Sequence, residues 1–270
     1  MTTNSASFVG DIPTHYDKGL GPNIFVDYAA LIAEKCCDEP ASSVIELAAG
    51  TGIVSRVLRD KLPAEASLLV TDLNAPMLEV AKAKFSGDEN IQFAVANAME
   101  LPFDGPEFDL MVCQFGVMFF PDKIASYREA ARVLRPGGRY VFNVWSPMSE
   151  NPFSQMAHEL MQKVFPDDPP GFYKVPFHYG DPATVLGDLS SAGWSNVTHE
   201  TIKIQKKIQD LEVFSRSLVF GNPLIDEINE RGGVDPEDVA GEFATELENR
   251  FGPDGMTMPL SATMFVCRLD

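Results

Sequence analysis

The sequence is short of positive charge: 21 lysines and arginines stand against 39 aspartates and glutamates, a formal net charge of −18 over 270 residues. A binder of nucleic acid or anionic lipid needs a clustered cationic face to neutralise phosphates. Both halves of the chain are net acidic, so neither supplies one. Long apolar runs are also missing. The longest, Leu110 to Phe120, is broken by Gln114 and Gly116, well short of the roughly 20 residues that span a bilayer. The stretch Met1 to Asp11 has neither the basic nor the apolar region of a secretory signal, and a cytoplasmic location is expected.

Metal and disulfide chemistry are as poorly provided for. The four cysteines, Cys36, Cys37, Cys113 and Cys267, form no C-x-x-C pair, and adjacent Cys36 and Cys37 are badly spaced for holding one zinc ion. Buried reduced thiols are expected. His15, His158, His178 and His199 are scattered and show no H-E-x-x-H pattern. What is present is a hydrophobic fraction of 45% with 22% charged residues, the composition of a packed chain with a sizeable core.

From Val44 onward, short apolar runs alternate with helical patterns, the mark of successive βαβ units and a doubly wound, mostly parallel α/β sheet. Strands are expected at Val44–Leu47, Leu68–Thr71, Ile91–Val95, Phe108–Cys113 and Arg139–Trp145. Helices are expected at Ile53–Lys61, Pro76–Phe85 and Lys123–Leu134, the last stopped by Arg135-Pro136-Gly137-Gly138. After Trp145 the chain becomes rich in proline, phenylalanine, tyrosine and methionine, the texture of a lid. A helix at Pro182–Ala192, an imperfectly alternating strand at Asn196–Ile208 and a final strand at Ala262–Leu269 follow. Between those two strands, 210–250 should hold two or three helices. Ten acidic and two basic residues fall within Asp226–Asp254, the pattern of a solvated helical face.

The segment Glu46-Leu47-Ala48-Ala49-Gly50-Thr51-Gly52-Ile53-Val54-Ser55 places small residues at a strand-to-helix turn, where backbone can approach a ligand and the free N–H groups of a helix end can meet it. A nucleoside-containing cofactor follows. The dinucleotide fingerprint G-x-G-x-x-G is incomplete, since Ser55 stands at the third glycine. Asp72, ending the second strand, is placed to accept hydrogen bonds from a ribose diol, which both dinucleotide and other nucleoside cofactors require.

Four segments in order, Glu46 to Gly52, Thr71-Asp72-Leu73-Asn74-Ala75-Pro76-Met77-Leu78, Ala96-Asn97-Ala98-Met99-Glu100-Leu101-Pro102-Phe103 and Phe108-Asp109-Leu110-Met111-Val112-Cys113-Gln114-Phe115, together with Val133-Leu134-Arg135-Pro136-Gly137-Gly138, resemble the class I S-adenosylmethionine-dependent methyltransferases. The small-molecule branch similar to the ubiquinone/menaquinone C-methyltransferases is the nearest in pattern. The resemblance covers about residues 40–146 strongly and Ile12-Pro13-Thr14-His15-Tyr16-Asp17 weakly. It implies a seven-stranded sheet with an antiparallel last strand, the final two strands coming from Asn196–Ile208 and Ala262–Leu269. It divides the chain into an N-terminal helical segment over the site (1–40), a cofactor core (41–146), a lid with connecting helix (147–195) and the last two strands with a helical insertion at about 209–252 (196–270).

The resemblance further implies that Ala48, Gly50 and Gly52 hold the methionine part of S-adenosylmethionine, with Glu46 ordering the turn. Asp72 takes the ribose, Leu73 and Met77 flank adenine, Asn97 and Ala98 meet its polar edge, and Gln114 lines the site beside the sulfonium. Ala48 departs from the family's first glycine and Asn97 from its more usual aspartate. The product would be S-adenosylhomocysteine and the partner a small-molecule methyl acceptor, with no nucleic acid; a homodimer is left open. Phe115, Phe119 and Phe177, with Tyr16, are expected in the acceptor pocket, beside Met118, Phe120, Phe172 and Tyr173. Tyr16 and His178 are the candidates for a substrate-side polar group or general base. The competing readings are an NAD(P)-dependent oxidoreductase and a non-catalytic methyltransferase-like binding protein.

Overall fold

A computed structural model describes residues 6–270; the first five residues of the expected N-terminal segment lie outside that range. Seven strands form one open sheet: β1 (Ser43–Glu46), β2 (Ser67–Asp72), β3 (Ile91–Val95), β4 (Phe108–Gln114), β5 (Leu134–Trp145), β6 (Asn196–Lys207) and β7 (Thr257–Arg268). Their spatial order is β3-β2-β1-β4-β5-β7-β6. The first five pair in parallel, and β7 runs antiparallel to both of its neighbours. The α/β class and the seven-stranded, mostly parallel sheet are those expected from the sequence.

Parallel strands covered on both faces are apolar along their length, and successive side chains point to opposite sides. Val44, Leu110, Val112 and Val141 accordingly pack with Ile32, Ala33 and Leu58 on one face. Ile45, Met111, Cys113 and Phe142 face Tyr127, Val133 and Phe265 on the other. The first face is covered by α2 (Val26–Cys36) and α3 (Ile53–Lys61), and the second by α5 (Lys123–Val133). The helix α4 (Ala75–Lys82) joins β2 to β3.

Three expectations change. The Arg135-Pro136-Gly137-Gly138 stop belongs to a strand: β5 starts at Leu134, its register with β4 shifts between Phe108 and Leu110, and Gly137 N–H and Gly138 C=O bind Leu269 near the chain's end. β7 begins at Thr257, five residues before the expected Ala262, because Met258 and Leu260 are buried opposite β6 despite the intervening Pro259. The proline-rich stretch after Trp145, expected to be a lid, contains a 13-residue helix, α6 (Pro152–Val164). Pro152 opens it at a position where its missing N–H costs nothing, so a proline taken as loop punctuation starts a helix.

Elsewhere, α1 (Ile12–His15) leads into a π-helical stretch, Tyr16–Phe25, ahead of α2. After α7 (Pro182–Ser191) and β6, the insertion consists of α8 (Leu211–Phe220), α9 (Leu224–Arg231) and α10 (Pro236–Phe251). Asp210 and Asp235 cap α8 and α10, each accepting from a backbone N–H of the first turn, as short acceptors at helix starts do. The π-helix lies tightly against α8: a Cβ on Gly19 would fall within 2.5 Å of the Ser217 side chain.

Candidate functional site

The turn after β1 takes three left-handed residues, Ala48 (φ 48°), Gly50 (φ 57°) and Gly52 (φ 77°). That conformation is free to glycine and strained for alanine. Gly52 starts α3, and a Cβ there would sit 2.8 Å from Ala81 Cβ of α4. The glycine thus allows two helices to close on the loop. Behind it, Ser55 donates to the buried carboxyl of Glu46, and Thr71 donates to the Glu46 carbonyl over 2.7 Å.

Asp72 ties the second motif to the first. One carboxylate oxygen accepts from Gly50 N–H at 2.8 Å and the other from Asn74 N–H at 2.7 Å. Burial pushes its carboxyl up and these N–H donors pull it down, leaving it above the ordinary aspartate value. The Asn74 side-chain amide also donates, at 3.3 Å, to the oxygen that Asn74 N–H binds, so the oxygen bonded to Gly50 N–H is the more open of the two to a ligand.

Asp72 and Gly50 stand on the wall of a cavity of about 530 Å³ at the carboxyl ends of the strands, where open α/β sheets bind ligands. Of the residues singled out in the sequence, Ala48, Leu73, Met77, Asn97, Ala98 and Gln114 line the same cavity, as do Tyr16, Phe115 and Phe119. Leu73 is 55% exposed there. Asn97 accepts the Met99 N–H with its amide oxygen, and its NH₂ can donate to a ligand. Gln114 reaches the Phe25 carbonyl at 3.3 Å and thereby links the sheet to the N-terminal segment.

Glu46 and Gly52 lie outside the cavity lining; they shape the loop from behind. Burial pushes the Glu46 carboxyl up to about 8, an effect opposed by Ser55 and reinforced by Asp72.

A second, aromatic compartment of about 70 Å³ adjoins the first, and Phe8, Tyr16, Phe115 and Phe119 belong to both linings. Phe177, Phe172 and Tyr173 line only the aromatic compartment, and Phe120 only the larger cavity. Met118 is core, 1% exposed, and lines neither. His178 is exposed, its Nδ1 lies 2.5 Å from the Val175 carbonyl, and it lines neither space. Tyr16 stacks on Phe25 and sits over Gly50. Burial, with the charges of Asp72 and Asp17, pushes its hydroxyl well above the usual tyrosine range, which disfavours the phenolate that a base would require.

Sequence reading passed over Phe8, Phe25, Trp145 and Phe153, all of which line the aromatic compartment. Trp145 was findable, since it ends a central strand on the side where ligands bind. Phe8, Phe25 and Phe153 arrive from elements whose docking no local pattern announces. Among the described residues no group of three or more His, Cys, Asp or Glu is placed to hold a metal, and no helix is long and apolar enough to cross a membrane.

A seven-stranded sheet of this order, a glycine turn after β1 and an aspartate ending β2 at one shared cavity define a class I S-adenosylmethionine-dependent methyltransferase. The ubiE/COQ5 methyltransferase family model matches residues 23–168, and the chain belongs to that family. It is 32% identical over 135 residues to the ubiquinone/menaquinone biosynthesis C-methyltransferase UbiE of Shewanella frigidimarina, covering 49% of this chain and 51% of that protein. UbiE of Shewanella sp. strain ANA-3 is 33% identical over 129 residues, covering 47% and 48%. The chain spans about half the length of the curated relatives it matches.

Among solved structures, the YcgJ protein of Bacillus subtilis aligns with a TM-score of 0.58 at 18% identity, over 90% of this chain and 98% of that one. The phosphoethanolamine N-methyltransferase 2 of Haemonchus contortus, solved with S-adenosyl-L-methionine, aligns at 0.60 and 14% identity, over 95% of this chain and 56% of that one. At these identities the likeness is one of fold.

Proposed function

We propose that the chain transfers the methyl group of S-adenosylmethionine to a small-molecule acceptor by in-line displacement. The observation that carries this reading is the pairing of a cavity walled by Gly50 and Asp72 with an adjoining aromatic compartment that shares Tyr16 and Phe115 with it. The residues fit the donor: Gly50 leaves the loop open, Asp72 offers a carboxylate to a ribose diol, exposed Leu73 and buried Met77 offer apolar faces for adenine, and the Asn97 NH₂ suits a ring nitrogen.

The donor supplies an activated methyl on a sulfonium. The chain's own task is to hold the acceptor in line and keep water out, which suits aromatic walls. The acidic surface supports a small acceptor over a nucleic acid. The reading is tested by thermal unfolding with S-adenosylmethionine, S-adenosylhomocysteine or NADH. A ligand at about 100 times its Kd adds roughly 2.7 kcal/mol, a shift of several degrees at this size. The two sulfur nucleosides are expected to raise Tm and NADH to leave it unchanged. The reverse pattern would overturn the assignment, and transfer of a labelled methyl group from S-adenosylmethionine to acceptors in a cell extract separates an enzyme from a silent binder.

A further inference from the structure

The residues that belong to both linings, Phe8, Tyr16, Phe115 and Phe119, are all aromatic, and they form a collar where the two compartments meet. Phe8 stands edge-on to Tyr16 and to Phe119, at 5.9 Å and 89° in each case. Tyr16 stacks on Phe25 at 4.9 Å, and Phe25 meets Phe115 at 5.8 Å, so Phe25 ties Phe115 to the other three. Phe115 also ends a column of rings. Phe177 stacks on Trp145 at 5.8 Å and Trp145 on Phe115 at 4.0 Å; the first two line only the aromatic compartment, whereas Phe115 lines the larger cavity as well. Tyr28 lies 5.4 Å from the Phe115 ring and 5.5 Å from the Trp145 ring, nearly perpendicular to both, which places it beside the stack. Phe25, 5.8 Å and 6.3 Å from the same two rings, is beside it too. Of the three rings that meet Phe115, Trp145 alone lies over a face, and the opposite face carries none.

Asp72 is the one charged residue lining the larger cavity, and none lines the aromatic compartment. Transfer needs the acceptor atom and the methyl carbon within about 3–3.5 Å of each other. With the donor in one compartment and the acceptor in the other, that meeting falls at the collar. The donor's sulfur carries a positive charge before transfer and none after it. A cation taken out of water needs compensation, and aromatic faces supply it through their negative quadrupole, most strongly where water is excluded. The neutral sulfide of the product gains nothing comparable.

Resting on the methyl-donor reading above, we propose that the collar is the sulfonium subsite and the means by which the chain distinguishes S-adenosylmethionine from S-adenosylhomocysteine, with the free face of Phe115 as its principal contact. The two ligands share their adenine, ribose and amino-acid groups, so the ratio of their affinities isolates the methylsulfonium. The rings act on the charged ground state. They therefore favour uptake of donor over retention of product and do not by themselves lower the barrier to transfer.

The test is calorimetric titration of S-adenosylmethionine and S-adenosylhomocysteine into wild type, Phe115→Leu, Phe119→Leu and Tyr16→Phe. Leucine keeps an apolar side chain and removes the π face. Affinity for S-adenosylmethionine relative to that for S-adenosylhomocysteine should fall about threefold or more in each leucine variant. In Tyr16→Phe, which keeps its ring, the ratio should change by less than about threefold. Phe115→Leu gives up the stack on Trp145 and is measured below its lowered Tm. Phe119 is only half-buried, so its variant gives a reading even where the first fails to fold. A ratio that falls less than about threefold in either folded leucine variant, or about threefold or more in Tyr16→Phe, overturns the proposal. Failure of wild type to bind S-adenosylmethionine and S-adenosylhomocysteine overturns instead the methyl-donor reading on which it rests.

Discussion

The Ser55 hydroxyl donates to Glu46 Oε2 over 2.5 Å across the turn between β1 and α3, and neither residue is more than 1% exposed. Ser55 occupies the place where a dinucleotide-binding turn carries its third glycine for helix–strand packing. Here the position has a side chain because a buried carboxyl beneath the loop needs a partner. The missing glycine is thus part of how this loop is held.

Glu46 makes stability fall as pH rises. Burial pushes its carboxyl up to about 8 from the ordinary glutamate value of 4.5, so between those limits the folded state keeps a proton that the unfolded chain releases. The contribution is fully present below about pH 4.5 and is lost as pH passes 8, with a slope approaching about 1.4 kcal/mol per pH unit for one proton. Asp72, also raised, acts in the same sense from a lower starting point. Urea denaturation at pH 5, 6, 7 and 8 should show Glu46→Gln with a flatter dependence than wild type. Identical slopes would mean that Glu46 is already ionised at pH 5.

Asp72 serves both the loop and the ligand. Replacing it with alanine removes charge-assisted hydrogen bonds of roughly 1.5–3 kcal/mol each, so affinity for S-adenosylhomocysteine should fall about 10- to 100-fold by calorimetry. Asp72→Ala also orphans the Gly50 and Asn74 N–H groups and should lose stability. Asp72→Asn keeps one acceptor oxygen and should lose less stability while still binding poorly. Unchanged affinity in both variants would reduce Asp72 to a turn-former.

The contrast between what could and could not be read from sequence follows from range. The glycine turn and Asp72 are local: small residues at a strand-to-helix turn and an acid at a strand end are demanded by geometry within a few positions, and the structure brings both to one cavity. The seventh strand was legible as a strand but not in length, because Pro259 hides its first turn of alternation. The aromatic compartment is long-range. Phe8, Phe25, Trp145, Phe153 and Leu218 come from five separate parts of the chain, and only tertiary packing reveals that they meet.

Gly52 gives a sharp test of loop packing. Alanine there would carry φ 77° and a Cβ 2.8 Å from Ala81 Cβ and 3.1 Å from its Cα. Left-handed strain of about 1–2 kcal/mol adds to overpacking of about 1–3 kcal/mol. Gly52→Ala should therefore be destabilised by at least about 2 kcal/mol in denaturant. Gly105→Ala, with open space at its Cβ and no left-handed φ, should stay within about 0.5 kcal/mol of wild type.

Trp145 separates the two compartments experimentally. Its ring stacks on Phe115 at 4.0 Å with 6° between planes, and Tyr28 meets both edge-on. Phe115 is held in a left-handed conformation, φ 53°, by its N–H to Asn143 Oδ1, so the stack braces a strained residue on the shared wall. Trp145→Ala should cost about 3–5 kcal/mol of stability and enlarge the aromatic compartment. Because Trp145 does not line the larger cavity, affinity for S-adenosylhomocysteine should stay within about threefold of wild type, measured by calorimetry below the variant's lowered Tm. A loss of affinity beyond about tenfold would show that Phe115 moves when its partner is removed and that the two compartments are mechanically one. Trp145→Phe, which keeps an aromatic face against Phe115, should then restore most of it.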